Sequence, residues 1–121
     1  MDRLQVRPLL PASGGLAVLA VSGELDLDSR ATLDAAVAPL TDAGYTQVVL
    51  DCGRLTFCDS AGLNCLLIWH QRLEDAGGTL VLADLTAAVT RLLKLTGTDQ
   101  VFVLADNRDQ ARQRLLPPSS Q

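Results

Sequence analysis

The chain passes from a predicted strand to a predicted helix beside its most reactive side chains. Residues 48–67 read VVLDCGRLTFCDSAGLNCLL, in which a buried strand ends at Asp51, a loop covers 52–59 and a helix covers about 60–76. In sheets built from such units, ligand sites lie where strands end and helices begin. The pattern therefore predicts a functional site at the start of this helix, at Ser60.

Ser60 is predicted to lie in the first turn of that helix. Backbone N–H groups there lack partners within the helix, and the helix dipole favours an anion, so a phosphate on Ser60 would be tolerated. Gly62 would let another surface approach the backbone closely. The alternative is purely structural, with Asp59 or Ser60 serving only as the residue that caps the helix.

Acidic residues are concentrated before Ser60. Residues 24–59 contain seven acidic side chains and two arginines, a net charge of −5, whereas the rest of the chain carries +1. A phosphate would add roughly −1.5 to −2 to this region. Such a change would be large for a surface that meets a partner. The alternative is that these carboxylates are ordinary solvated groups.

The predicted helix over 60–76 has two faces at roughly 100° per residue. The core face is predicted to hold Leu63, Leu66, Leu67, His70 and Leu73, and the outer face Ala61, Cys65, Ile68 and Arg72. The apolar Ile68, in line with Ala61, indicates a surface for a partner. A single exposed isoleucine is also common on ordinary protein surfaces.

An enzyme is a second hypothesis, because the set Cys58, Asp59, Ser60 and His70 offers nucleophiles and a base. His70 is the only histidine and lies ten positions after Ser60, roughly 15 Å along a helix, so it is predicted to flank the core. The cysteines Cys52, Cys58 and Cys65 lack zinc-ligand spacing, and we expect buried thiols. No catalytic residue, metal site or cofactor is expected.

The composition excludes several classes of function. The 121 residues are 48% hydrophobic with a net charge of −4, which disfavours binding to a nucleic-acid backbone. The longest apolar run, residues 16–21, is far shorter than the roughly twenty residues of a membrane span. The first ten residues lack a signal-peptide core. We expect a cytoplasmic protein with neither a membrane nor a nucleic-acid partner.

Strand and helix patterns alternate in the order β-β-α-β-α-β-α-β-α. This order implies an α/β fold with a mixed, mostly parallel sheet, an N-terminal hairpin and about four helices. Strands are predicted over 6–10, 16–22, 47–51, 79–83 and 101–104, and helices from 28 or 29 to 43, then over 60–76, 86–95 and 106–115. We expect a single domain over 4–115 and a disordered tail over 116–121.

The first helix is predicted to be capped by Asp28 or Ser29 and to end at Gly44. Its buried stripe is predicted to comprise Ala31, Leu33, Ala36, Val37 and Leu40. The hairpin before it is predicted to turn at residues 13–15, which read SGG.

Three segments of the chain resemble STAS domains of the anti-sigma factor antagonist type. Residues 23–26 read GELD and resemble the family motif after the second strand. Residues 48–63 resemble its strand, loop and D-S-x-G-L signature, and residues 77–97 resemble its closing half. The resemblance covers about 4–115 and implies the STAS fold.

The resemblance implies a function in partner switching. In that family the unphosphorylated antagonist binds an anti-sigma factor that is also a serine kinase, which frees a sigma factor. Phosphorylation dissociates the complex, and a metal-dependent serine phosphatase reverses the modification. By residue-by-residue match, Ser60 would be the phospho-acceptor. The partner-binding set would be Asp26, Asp59, Ser60, Ala61, Gly62, Leu63 and Ile68.

Two features refine this expectation. Ala61 stands where some members have a second serine, which leaves one candidate serine in the motif. The ATP and magnesium would belong to the kinase, because this chain has one lysine, Lys94, and no glycine-rich phosphate loop. We expect a bacterial protein that is a monomer or weak dimer. The alternative in the same fold is a STAS scaffold of a stress-sensing complex, or a lipid-transport subunit, without a phospho-switch at Ser60.

Overall fold

The computed structural model describes residues 3–9 and 15–115. Five strands form one sheet in the order β1-β2-β3-β4-β5. They are β1 (Gln5–Pro8), β2 (Leu16–Leu25), β3 (Gln47–Cys58), β4 (Thr79–Ala83) and β5 (Val103–Ala105). The helices are α1 (Arg30–Asp42), α2 (Ser60–Asp75), α3 (Ala87–Thr96) and α4 (Arg108–Leu115), with a 3₁₀ turn at Thr98–Gln100. The predicted α/β fold is confirmed.

The sheet is mixed. β1 and β2 pair antiparallel, and the pairs β2–β3, β3–β4 and β4–β5 are parallel. β2, β3 and β4 carry continuous apolar runs because both faces of the central sheet are covered. Val18, Val49 and Val81 lie side by side in one cross-strand row. The parallel sheet places the ends of β2 and β3 at one edge, where α1 and α2 begin.

Helices cover the two faces unequally. The larger apolar core joins the sheet to α1, α2 and α3 and includes Leu25, Leu33, Leu55 and Leu66. The smaller core lies on the other face, where Ala111 and Leu115 of α4 pack with the cross-strand valines. The predicted hairpin turn lies largely outside the described residues, and the predicted tail over 116–121 lies wholly outside them.

The predicted loop over 52–59 is wrong, because β3 continues to Cys58. β4 pairs with β3 only as far as Asp51, but β2 follows β3 further, with Leu25 opposite Cys58. Two register irregularities in β2–β3 absorb the extra residues as bulges. Residues 54–56 keep the strand alternation, with Leu55 buried between an exposed arginine and an exposed threonine.

The outer face predicted for α2 is partly wrong. Cys65 is buried, and so is Trp69, because α1 packs along that side of α2. The Trp69 Nε1–H donates to Asp34 Oδ1 at 2.7 Å, and the Cys65 thiol contacts the same oxygen at 3.6 Å. Ile68 and Arg72 are exposed as predicted.

Smaller differences affect α1 and the last strand. Leu33 and Val37 are buried and Ala36 and Leu40 half-buried as predicted, but Ala31 is exposed. The strand predicted over 101–104 is shifted to Val103–Ala105, because the N–H groups of Val101 and Phe102 donate to the Thr98 carbonyl oxygen and so close the 3₁₀ turn.

Candidate functional site

Asp59 caps α2. Its backbone is extended, with φ −98° and ψ −173°, and its Oδ1 accepts a hydrogen bond of 2.8 Å from the Gly62 N–H. The structural role proposed for Asp59 or Ser60 therefore belongs to Asp59. Ser60 is the first helical residue and is exposed, and its hydroxyl has no hydrogen-bond partner among the described residues. The capping interaction leaves the Ser60 hydroxyl free.

The start of α2 is seated on the end of β2. The Asp59 N–H donates to the Leu25 carbonyl oxygen at 3.2 Å. Gly62 is buried, and a Cβ at this position would overlap the Leu25 carbonyl group. The close approach that a glycine permits is therefore made by the chain's own β2. This corrects the expectation that Gly62 opens space for an external surface.

Asp26 is occupied in its own loop. Its Oδ1 accepts hydrogen bonds from the backbone N–H groups of Asp28 and Ser29, both at 3.0 Å. The Ser29 hydroxyl accepts from the Asp26 N–H at 2.9 Å and can donate to the Glu24 carbonyl oxygen at 2.8 Å. Ser29 precedes α1 but makes no side-chain cap bond. Its role as a tie across the loop was not predicted from the sequence.

The β2–α1 loop forms an acidic hollow. A concavity of about 460 Å³ is lined by Glu24, Asp26 and Asp28, together with Arg3, Leu4, Ser29 and Thr32. None of the three carboxylates, nor that of Asp59, takes part in an ion pair with another described residue. Leu25 joins this acidic hollow to the start of α2, because it lies between Glu24 and Asp26 and contacts Asp59 and Gly62.

Three large apolar side chains are exposed on the elements that carry the site. Leu27 is 58% exposed in the β2–α1 loop, Phe57 is 46% exposed at the end of β3, and Ile68 is 42% exposed on α2. Phe57 lies opposite Glu24 in the β2–β3 register. Only Ile68 was predicted from the sequence. The strand alternation through residues 54–56 could have indicated that β3 continues past Asp51, but it would have placed Phe57 on the buried face, and Phe57 is exposed.

The remaining predicted site residues differ in accessibility. Ala61 is half-buried, whereas Leu63 is 6% exposed and belongs to the larger core. The D-S-x-G-L motif thus combines an exposed serine with residues that anchor the helix. Gly62 and Leu63 offer no side chain to a partner.

The thiols near the site are held in the protonated form. Burial, and then the negative charge of Asp59, raise the pKa of Cys58 to about 12. Burial and the neighbouring Asp34 raise the pKa of Cys65 to about 12, and burial also raises the pKa of Cys52. A thiol with such a pKa is a poor nucleophile at neutral pH. The cysteines are free.

His70 flanks the core, as predicted. It is 7% exposed, its ring packs edge-on against Phe102 with centroids 5.7 Å apart, and its Nε2 lies 3.5 Å from Glu74.

Within residues 3–9 and 15–115, no base pairs with the Ser60 hydroxyl, and no group of three or more His, Cys, Asp or Glu could hold a metal ion. None of the helices in those ranges is long and apolar enough to cross a membrane.

Comparison with known proteins finds one family model and several anti-sigma factor antagonists that are similar to this chain. The family model described as "Mlab, STAS domain" matches residues 10–105. BtrV of Bordetella bronchiseptica, to which the role of anti-sigma factor antagonist has been assigned, is 32% identical over 80% of this chain and 84% of its own. An anti-sigma factor antagonist from Mycobacterium paratuberculosis superimposes with a TM-score of 0.74 at 27% identity, covering 92% of this chain and 94% of its own.

The same fold occurs in SpoIIAA of Bacillus, whose structures have been solved with and without phosphate. The unphosphorylated form, described as an anti-sigma factor antagonist, gives a TM-score of 0.76 at 20% identity over 91% of this chain and 95% of its own. The phosphorylated form gives 0.71 at 18% identity over 93% of this chain and 100% of its own.

Proposed function

This chain belongs to the STAS domain family, and we propose that it is an anti-sigma factor antagonist whose partner is switched by phosphorylation of Ser60. The observation that carries the proposal is the free, exposed hydroxyl of Ser60 at the first position of α2. The assigned role of BtrV and the solved phosphorylated SpoIIAA support it. The chain acts in the bacterial cytoplasm as a regulator of transcription.

The binding surface consists of the start of α2 and the elements beside it. On α2, the side chains that contact the partner are exposed Ser60 and Ile68 and half-buried Ala61. The partner is an anti-sigma factor that is also a serine kinase. Leu27 and Phe57 extend this surface with apolar area of the kind that anchors protein interfaces. Gly62 and Leu63 serve indirectly, because they fix the position of α2 on β2.

Phosphate transfer is the task of the partner. The chain carries a single lysine and no glycine-rich phosphate loop, so ATP and magnesium are bound by the kinase. In the complex, Ser60 supplies its hydroxyl oxygen to the terminal phosphate of ATP. The chain is the substrate and needs no cofactor, metal or catalytic group of its own.

Dissociation follows from charge. A phosphoserine carries about −1.5 to −2 at neutral pH, and here it joins Asp59 and the carboxylates of the acidic hollow. The free phosphoserine is tolerated by the N-terminus of α2 and by water. In a closed interface the same charge is desolvated beside like charges, which weakens the complex. A metal-dependent serine phosphatase restores the binding form.

The direct test is phosphorylation by the cognate anti-sigma factor. The purified chain, incubated with that kinase and ATP, should gain one phosphate that mass spectrometry maps to Ser60. The Ser60→Ala variant should gain none, and Ser22→Ala in β2, away from that surface, should be modified normally. Absence of phosphate on Ser60, with the complex still formed, would favour the alternative of a STAS scaffold or lipid-transport subunit. The observation that supports this alternative is the description of the matching family model, which names Mlab.

A further inference from the structure

The sheet face opposite α1–α3 is covered over only part of its width. α4 packs mainly on β3, β4 and β5. Towards β1, two cross-strand rows lie outside the smaller core: Arg7, Ala20 and Asp51 form one row, and Gln5, Ser22 and Arg54 form the other. Directly paired residues share a face, so these side chains lie together.

The rows line a continuous groove. One cavity of about 640 Å³ has the small residues Ala20, Ser22 and Gly53 in its lining. A second cavity of about 660 Å³ shares Ser22, Gly53 and Arg54 with the first and extends to Arg3 and Thr56. We call the joined cavities the second-face groove. Small residues between longer arginine side chains give it its depth.

The charge of the groove is opposite to that of the chain. Arg3, Arg7 and Arg54 are exposed, and none forms an ion pair with a residue in the described part of the chain. Arg108 is held by Asp51 at 3.1 Å, and Asp84 is the other acidic residue in the lining. Four arginines and two aspartates therefore line the groove in a chain of net charge −4. One of the four, Arg3, also lines the acidic hollow, so Arg7 and Arg54 are the unpaired arginines that belong to the groove alone. The unpaired guanidinium groups favour an anionic occupant.

The lining also restricts the kind of anion. Among the described residues, no aromatic side chain lines either cavity, so a nucleobase would find no ring there on which to stack. The larger apolar side chains in the lining are Leu9 and Val21, too few for the apolar stripe of an amphipathic helix. A polar, extended polypeptide fits this surface better.

We propose that the second-face groove binds an extended acidic segment of a partner protein, with carboxylates at alternate positions. Arg3 and Arg7 are four residues apart, which is about 13 Å in an extended chain, and Gln5 lies between them. Alternate side chains of an extended ligand point the same way at about 7 Å intervals. Carboxylates two intervals apart, at about 14 Å, can therefore pair with Arg3 and Arg7, bidentately in the best geometry, while the side chain between them faces Gln5.

The groove lies on the opposite face of the sheet from α2, which carries Ser60, and of its lining only Arg3 also lines the acidic hollow. A partner bound in the second-face groove therefore stays bound when Ser60 is phosphorylated. The groove would hold the chain in a complex while the Ser60 surface exchanges its own partner. This inference does not require that Ser60 be phosphorylated.

The probe is a fluorescein-labelled peptide of alternating aspartate and threonine, titrated with the full chain at low salt and followed by fluorescence anisotropy. The double variant Arg7→Glu/Arg54→Glu should weaken binding at least tenfold. The matched control Arg91→Glu, which reverses an exposed arginine on α3, should change it less than twofold. Ser60→Asp should bind the peptide like the unchanged chain. Far-ultraviolet circular dichroism verifies that each variant is folded.

Several results would overturn the proposal. The proposal fails if the aspartate peptide does not bind, or if an asparagine–threonine peptide binds equally well. It also fails if Arg91→Glu weakens peptide binding as much as the double variant does. Equal or tighter binding of a single-stranded oligonucleotide of matched charge would make the groove a general polyanion site. Salt-sensitive self-association that the double variant abolishes would identify the occupant as the acidic hollow of a second copy.

Discussion

The backbone of Gly62 lies against the carbonyl group of Leu25, so that the first turn of α2 rests on the end of β2. The Asp59 N–H reinforces this contact by donating to the same carbonyl oxygen at 3.2 Å. Because Asp59 precedes Ser60 directly, the contact determines where the exposed hydroxyl is presented. The position of the proposed phospho-acceptor is thus set by a strand 35 residues earlier in the chain.

Gly62→Ala should destabilise the fold by about 1–3 kcal/mol, because the new methyl group meets backbone rather than a movable side chain. Gly53→Ala is the matched control. Its Cβ would meet the end of the Asp84 side chain, which can rotate away, so the expected loss is smaller. Urea unfolding at neutral pH measures both. Equal losses for the two variants would contradict the importance of the Leu25 contact.

Ser60→Ala should bind the anti-sigma factor as the unphosphorylated chain does and should not dissociate when ATP is added. Ser60→Asp should bind about tenfold more weakly or worse, equivalent to about 1.4 kcal/mol, because it adds negative charge to the interface. Isothermal titration calorimetry gives both affinities. Unfolding free energies should stay within about 0.5 kcal/mol, because the hydroxyl is exposed and unbonded. Equal affinity of the two variants would refute the repulsion mechanism.

Removing neighbouring charge should relieve that repulsion. Asp26→Asn and Asp59→Asn each keep an oxygen acceptor for the local backbone bonds while removing a negative charge. Added to Ser60→Asp, either change should restore affinity for the anti-sigma factor by a few-fold. In high salt, the affinities of Ser60→Asp with and without the added asparagine should become more similar, since salt screens charge. No recovery with either asparagine would show that carboxylate repulsion does not drive dissociation.

Phe57→Ala should weaken binding of the anti-sigma factor by more than about 1 kcal/mol, the range of an aromatic interface anchor. Stability should change little, because the side chain is 46% exposed. Leu95→Ala is the control, since Leu95 is 78% exposed on α3. Calorimetric titration of both variants measures the effect. If Leu95→Ala weakened binding as much as Phe57→Ala, the interface would not be centred on Ser60.

Stability should fall as the pH rises above 9. The Cys58 pKa is raised from 9.0 to about 12 in the fold, so between these values the unfolded state loses a proton that the folded state keeps. The contribution is complete below pH 9 and is lost as pH rises towards 12. Urea unfolding at successive pH values measures it. Cys58→Ser should flatten the decline; an unchanged slope would show that Cys58 is not among its causes.

Local signals predicted the order of the elements and several of their ends. α3 begins after Thr86 and ends before Gly97, as the pattern indicated. Gly97 has a φ of +76°, which glycine adopts without strain. Asp59 followed by Ser60 predicted the beginning of α2 to the residue. Such features depend on backbone preferences within a few residues, so the sequence can report them.

Features that depend on distant neighbours could not be predicted in the same way. The extension of β3 to Cys58 requires β2 alongside it, with bulges that break the register. The helical periodicity predicts Cys65 on the outer face of α2, but α1 covers that side of the helix. The resemblance placed Asp26 in the partner-binding set, but no sequence pattern showed that its Oδ1 accepts hydrogen bonds from the backbone of its own loop.

The sequence by itself determined the order of the elements, the start of α2, the single serine of the motif and the concentration of acidic charge before it. These depend on residue types and short spacings. The tertiary structure alone decided that Gly62 packs against the chain's own β2, that Phe57 and Leu27 are exposed, and that arginines remain unpaired on the second face. Those properties arise from which strands and helices are adjacent in space, and a linear pattern does not contain that information.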